Sequence, residues 1–103
     1  MKSADFGRKT LEKCALIPEG KVATYKGLAA AIGSKGAARA VGSALSKNRN
    51  LVKVPCHRVI RSDGFAGGYA KGVGRKIALL RREGVEVSKR GFVDLKRFLF
   101  RFD

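Results

Sequence analysis

The sequence predicts a mainly α-helical domain with a small β component, a winged-helix-like fold containing a helix-turn-helix. Three observations point there. Residues 25–47 divide into two short helical segments around Gly33 and Ser34, strand-like runs are confined to short stretches near 21–23 and 52–60, and basic residues are spread from Lys2 to Arg101. A chain of 103 residues suits a single domain over 1–103 with a modest core. Lys and Arg number 23 against 8 Asp and Glu, a net charge of +15. A structured domain so charged is suited to a polyanion, with nucleic acid ahead of an anionic membrane surface. A merely solubilising surface would mix both signs.

The elements follow in order. Ser3 to Ile17 is expected as the first helix: Ser3 caps it, Phe6, Leu11, Cys14 and Ala15 fall on one side, and Pro18-Glu19-Gly20 ends it. Cys14 then faces a core, which suits an inert thiol. Lys21 to Ala23 is long enough only for an edge strand. Thr24 caps a short helix, Tyr25 to Ile32, that stops at Gly33; Ser34 caps a second, Lys35 to about Lys47, which carries Arg39. Two helices joined by a turn of about three residues describe a helix-turn-helix over 25–47, or else an ordinary helical hairpin.

Asn48 to Leu51 is a loop leading to an apolar segment, 52–60, interrupted by Pro55. Ser62-Asp63-Gly64 signals a hairpin-type turn. Gly64, Gly67, Gly68, Gly72 and Gly74 crowd around Tyr69 in a glycine-rich loop, 64–74, that either lets backbone approach a ligand or is simply flexible. It matches neither a P-loop nor a dinucleotide fingerprint. Val73, Ile77 and Leu80 mark a helix running to Glu83 and stopping at Gly84. Leu95, Phe98, Leu99 and Phe102 predict a last helix over 94–102 that covers the core, with a basic amphipathic membrane helix as the other reading.

Cys14 and Cys56 are the two cysteines. Without a signal-peptide pattern they are expected to be reduced thiols in a cytoplasmic protein. With His57 they fall short of the four ligands of a structural zinc site, so no metal and no cofactor is expected. No apolar run approaches a membrane span.

The chemistry concentrates in Pro55-Cys56-His57-Arg58-Val59, which places a thiol beside the only histidine. A cysteine reacts as thiolate, and a base or a positive field lowers its pKa. Adjacent side chains point apart, so Cys56 and His57 would communicate through a water or a small backbone turn. Alone, the motif is more often a small buried hydrophobe in an apolar stretch than a nucleophile.

With these residues in view, the chain resembles the DNA-binding, active-site domain of the O6-alkylguanine-DNA alkyltransferases from about Asp5 to Gly84. Besides the Pro-Cys-His-Arg-Val motif, the resemblance rests on Val22-Ala23-Thr24-Tyr25, on Ala37-Ala38-Arg39-Ala40-Val41-Gly42, on Asn48, and on Gly67-Gly68-Tyr69 followed by Glu83-Gly84. It implies that Cys56 is the alkyl acceptor, that His57 takes its proton through a water, that Glu83 orients the imidazole, and that Asn48 bridges the helix-turn-helix to the active-site strand. It further implies that Tyr25 rotates a DNA phosphate while Arg39 plugs the gap left by a flipped base. The recognition helix, with Ala37, Ala38 and Ser43 beside Arg39, would enter the minor groove. Gly67, Gly68 and Tyr69 would wall a guanine pocket with Tyr25, and the Val59 carbonyl would accept from the exocyclic amine.

Two differences stand out. The N-terminal domain of many members has no counterpart in these residues, and Ala70 occupies a position near the O6 atom that is often Ser. The segment 85–103 looks more like the tails of alkyltransferase-like proteins, which lack the cysteine and only bind lesions. The leading expectation is a monomeric, single-turnover repair protein that acts on double-stranded DNA containing O6-alkylguanine. The alternatives are a non-catalytic lesion sensor, another helix-turn-helix DNA-binding module, or a redox-sensing DNA binder.

Overall fold

In the computed structural model, which describes residues 3–50, 53–69 and 71–102, buried hydrocarbon is divided between two clusters separated by a pair of very short strands. The elements run α1 (Ser3–Cys14), β1 (Ala23–Thr24), α2 (Tyr25–Ala31), α3 (Ala38–Ser46), a 3-10 turn (Cys56–Arg58), β2 (Val59–Ile60), α4 (Val73–Arg82) and α5 (Leu95–Phe98). The architecture is thus mostly helical with a small sheet. β1 and β2 pair in parallel, with Ala23 opposite Val59 and Thr24 opposite Ile60. Successive strand side chains point to opposite faces. Ala23 and Val59 therefore enter one cluster with Cys14, Ile17, Leu28, Val41, Leu45 and Cys56. Val22 and Ile60 enter the other with Leu80, Val85, Val87, Val93 and Phe98. Each buried Val or Leu contributes about 1.5–3 kcal/mol, so these clusters outweigh the two-rung ladder in holding the fold.

α1 includes Ser3 and ends at Cys14, short of the expected Ile17. Leu16 and Ile17 continue in tight turns, their N–H groups donating to Lys13 and Cys14. The cause is Pro18, which pushes the preceding residue out of helical geometry. β1 is not an edge strand. Val22 donates to Phe98 at 2.9 Å and accepts from Phe100 at 2.7 Å on the side away from β2, forming a parallel bridge with Leu99.

The helix-turn-helix is present as α2 and α3, which pack on each other while α3 also packs on α1. Thr24 caps α2, its hydroxyl accepting from Gly27 N at 2.9 Å. The Ser34 N–H reaches back to Ala29 O and the Gly33 N–H to Ala30 O, a Schellman closure with Gly33 at φ 77°. α3 starts at Ala38 rather than Lys35, with Ala37 in the cap position and no side-chain cap. Gly36, at φ 90°, breaks the helix that Ser34 was expected to cap. The connection therefore runs from Ile32 to Ala37, longer than the three residues expected.

The Ser62-Asp63-Gly64 turn forms: Gly64 N donates to Arg61 O and Asp63 Oδ1 accepts from Phe65 N. A Cβ at Gly64 would lie 2.8 Å from Val93 O, so glycine is required there for close approach as well as for its φ of 92°. α4 ends as expected, at Glu83 and Gly84. The expected helix over 94–102 is instead one turn. Asp94 caps α5 by accepting from Lys96 N, and Leu99 leaves in extended geometry at φ −69° and ψ 126°. Phe100 and Phe102 then pack against the first cluster. Apolar residues at 95, 98, 99 and 102 fit a helix, but the donor and acceptor of Val22 capture this backbone as a strand.

Candidate active site

The site is built from a backbone reversal at Pro55. Its φ of −79° and ψ of 72° are those of an inverse γ-turn, closed by Cys56 N donating to Val54 O at 2.8 Å. The 3-10 turn follows, and Cys56 and His57 leave it in different directions. Cys56, 7% exposed, joins the first cluster; His57, 6% exposed, turns to Glu83. Glu83 sits at the C-terminal cap of α4.

Glu83 is gripped on both oxygens. Arg58 donates from Nε to Oε1 at 2.9 Å and from Nη2 to Oε2 at 2.6 Å, while His57 Nε2 lies 3.0 Å from Oε2. Arg58 Nη1 also donates to Ile17 O at 2.8 Å, tying the fork to the turn that follows α1. Burial pushes the Glu83 carboxyl up, but Arg58 and then His57 outweigh it and hold the group below the usual carboxylate range. A carboxylate only accepts, so His57 Nε2 carries the proton. Burial holds His57 below its ordinary pKa despite the opposing pull of Glu83, which leaves it neutral at pH 7. Its lone pair is then on Nδ1, a buried atom without a hydrogen-bond partner among the described residues.

Cys56 is polarised from three sides. The largest influence is the neighbouring Cys14 thiol; an Asn48 hydrogen bond and the charge of Lys76 add to it, and against burial they lower the thiol to about 7. Cys14, fully buried, is pushed up by the same contact. The residue expected to be an inert core thiol therefore faces Cys56. Asn48 Nδ2 lies 3.0 Å from Cys56 Sγ and 3.0 Å from Val54 O, and its Oδ1 accepts from Asn50 N at 2.9 Å. One side chain just beyond α3 thus fixes the loop that delivers the thiol.

Cys56 opens on a cleft of about 330 Å³ lined by Tyr25, Gly42, Leu45, Ser46, Gly68 and Tyr69. The structure therefore brings Tyr25, Gly68 and Tyr69 to the cleft that holds the thiol, together with Gly42, Leu45 and Ser46. Gly42 closes the Ala37–Gly42 run that carries the resemblance, whereas Leu45 and Ser46 read as ordinary positions of the second helix. Gly67 is buried beside the Arg61 side chain. The Val59 carbonyl accepts 2.6 Å from Lys76 Nζ, so one of its lone pairs is already occupied. Arg39 and Ser43 stand exposed one turn apart on α3, with Ala37 and Ala38 half-buried at its start; none of the four lines the cleft. Ala70 lies outside the described residues. A larger groove of about 470 Å³ between α2 and the C-terminal tail contains no cysteine or histidine, so size alone does not identify the site. Among the described residues, no three of His, Cys, Asp and Glu gather as a metal site, and no helix is long and apolar enough to cross a membrane.

A helix-turn-helix with a basic outer residue, packed over an activated cysteine and a His-Glu pair, defines a small class of domains. The chain belongs to the 6-O-methylguanine DNA methyltransferase family, whose DNA-binding-domain model matches residues 5–85. It is 47% identical over 87 residues to a methylated-DNA--protein-cysteine methyltransferase of Saccharolobus solfataricus, covering 84% of this chain and 56% of the relative. It is 45% identical over 100 residues to a bifunctional methyltransferase/endonuclease of Picrophilus torridus, covering 97% of this chain and 33% of the relative. The chain therefore spans between a third and just over half of the length of these relatives. Among solved structures, S. pombe Atl1 in complex with damaged DNA containing O6-carboxymethylguanine superposes with a TM-score of 0.89 at 30% identity, covering 98% of this chain and 99% of that one. Mycobacterium tuberculosis OGT in complex with DNA gives a TM-score of 0.75 at 44% identity, covering 77% of this chain and 49% of that one.

Proposed function

We propose that the protein binds duplex DNA carrying O6-alkylguanine from the minor-groove side, takes the modified base out of the stack and accepts its alkyl group on Cys56. The observation that carries this reading is a buried thiol, met at 3.0 Å by Asn48, at the floor of a cleft beside α3. The His57 Nδ1 lone pair takes the thiol proton through a bridging water, and Glu83 and Arg58 hold the ring in the tautomer that makes this possible. Sγ then attacks the alkyl carbon as the carbon–O6 bond breaks, and the electron pair left on guanine is neutralised by a proton. The thiol proton lost and the guanine proton gained balance. The resulting thioether has no easy leaving route, so each molecule reacts once. No cofactor takes part in this scheme.

Extrusion of the base costs a few kcal/mol. Tyr25, at the start of α2 and in the cleft, is placed to turn the nucleotide, and exposed Arg39 on α3 to fill the stack behind it. Small Ala37 and Ala38 allow a close approach of the helix, and the uncapped N–H groups there favour phosphate. Seen this way, Ser43 extends the same face. A second reading, a lesion sensor acting as a monomer without transfer, draws on the end-to-end likeness to S. pombe Atl1.

Intact-protein mass spectrometry after incubation with an O6-methylguanine duplex separates the two. Transfer adds one methyl group to the peptide containing Cys56, and Cys56→Ala removes that gain while keeping DNA binding. Lesion-specific binding with no change in mass would replace the transfer reading by the sensor.

A further inference from the structure

Two hollows larger than the cleft of Cys56 lie away from it. The groove between α2 and the C-terminal tail holds about 470 Å³, and a second hollow of about 500 Å³ between α1 and α2 adjoins it through Lys13 and Ala31, which line both. Neither shares a residue with the cleft. Helical periodicity explains the separation. Leu28 and Ala29 of α2 turn into the core, so Gly27, Ala30 and Ala31 fall on the opposite side of the helix and form one wall of the groove.

The walls are apolar and the rim is cationic. Leu16, which lines the second hollow, is 56% exposed, the most exposed large hydrophobic side chain among the described residues. Phe100 and Phe102 line the groove. Lys9, Lys13 and Arg101 are the cations along the two hollows, and none of them forms an ion pair among the described residues. The one carboxylate there, Glu12, lies 3.9 Å from Arg8. An apolar patch rimmed by polar groups marks an interaction surface, and the sign of the rim selects the partner. A nucleic-acid backbone would satisfy the cations but brings no aliphatic side chain to fill the hollows.

We propose that this double groove docks an acidic segment of a partner protein, its aliphatic side chains lying against Leu16, Ala30 and Phe102 and its carboxylates meeting Lys9, Lys13 and Arg101. The cleft of Cys56 contributes no residue to this surface, so partner and DNA can be held together. Docking is independent of whether Cys56 accepts an alkyl group.

A short peptide of alternating Glu and Leu, titrated into the isotope-labelled chain and followed by amide NMR, tests this. Shifts are expected at Gly27, Ala30, Ala31 and Arg101, and not at Arg39, Gly42 or Ser46. Ala30→Glu, at an exposed position, and Leu16→Ser should each weaken peptide binding at least about tenfold, while affinity for duplex DNA stays level and the amide spectrum remains that of the folded chain. A peptide of alternating Lys and Leu should not bind. Shifts confined to α3 and the cleft, or displacement of the peptide by duplex DNA, would mean that the peptide only mimics nucleic acid, and would overturn the proposal. Absence of binding by the Glu-Leu peptide, or equal binding by both variants, overturns it as well.

Discussion

The two clusters on either side of β1 and β2 are built from similar aliphatic side chains, yet only one contains ionisable groups. The cluster holding Val22, Ile60, Leu80, Val85, Val87, Val93 and Phe98 is hydrocarbon throughout. The other includes Cys14 and Cys56, with Tyr25 and Tyr69 packed against it and His57 and Lys76 buried at its border. A hydrocarbon cluster needs only volume and shape. The mixed cluster borders a buried cation and holds a thiol lowered to about 7, and one polar atom at its edge, His57 Nδ1, has no partner among the described residues. α4 joins the two. Its Leu80 fills the hydrocarbon side, and one turn later Glu83 reaches His57. Packing on one side thereby places chemistry on the other.

The largest break in this arrangement is Glu83→Gln. It leaves the Arg58 guanidinium and His57 without their carboxylate, so transfer should fall by at least about 100-fold and stability by about 3–5 kcal/mol. Glu83 is held below its ordinary pKa in the folded state, so its contribution is present above the unfolded carboxyl pKa and is lost as pH falls through the folded one. Urea unfolding at neutral and acidic pH should therefore show the gap between wild type and variant closing in acid. A gap that persists at low pH would mean that charge is not the cause.

Leu80→Ala attacks the hydrocarbon side. A loss of about 2–5 kcal/mol is expected from the lost burial and the cavity, measured by denaturation, while the pH midpoint of Cys56 alkylation by iodoacetamide in the folded protein stays where it was. A moved midpoint would show that the two clusters are not separable. The smallest effect belongs to Cys14→Ala. Removal of this thiol, the largest influence lowering Cys56, should raise that midpoint above about 7 and slow alkylation at neutral pH by about tenfold per unit of rise. An unchanged profile would leave Asn48 and Lys76 as sufficient.

What the chain's letters disclosed divides along the same line. Local signals were legible: Thr24 as a cap, Gly33 and Gly84 as helix stops, Pro55 as a break in the apolar segment, and the helix-turn-helix itself. Tertiary capture was not. Leu99 belongs to an apolar stripe that fits a helix, and only the backbone of Val22, far away in sequence, draws it into an extended parallel bridge. Lys76 escaped for a related reason. The periodicity of Val73, Ile77 and Leu80 marks an apolar face, and charge is expected off that face; yet Val73 is 41% exposed and Lys76 is fully buried. Its three acceptors, Val59 O, Gly68 O and the Tyr25 hydroxyl, come from elements whose meeting no local pattern announces. Cys14 was legible as buried, but its neighbour was not, since contact across two distant segments leaves no trace in spacing.

A side chain that can react only once has to survive until it is needed. Cys56 is 7% exposed, with Asn48, Leu45 and Cys14 around its sulfur, so peroxide and stray electrophiles in bulk solvent meet little of it. Its thiolate character raises the hazard that its burial lowers. On the proposed chemistry, the depth of the cleft sets how long a molecule waits, still armed, between synthesis and its single encounter with damaged DNA.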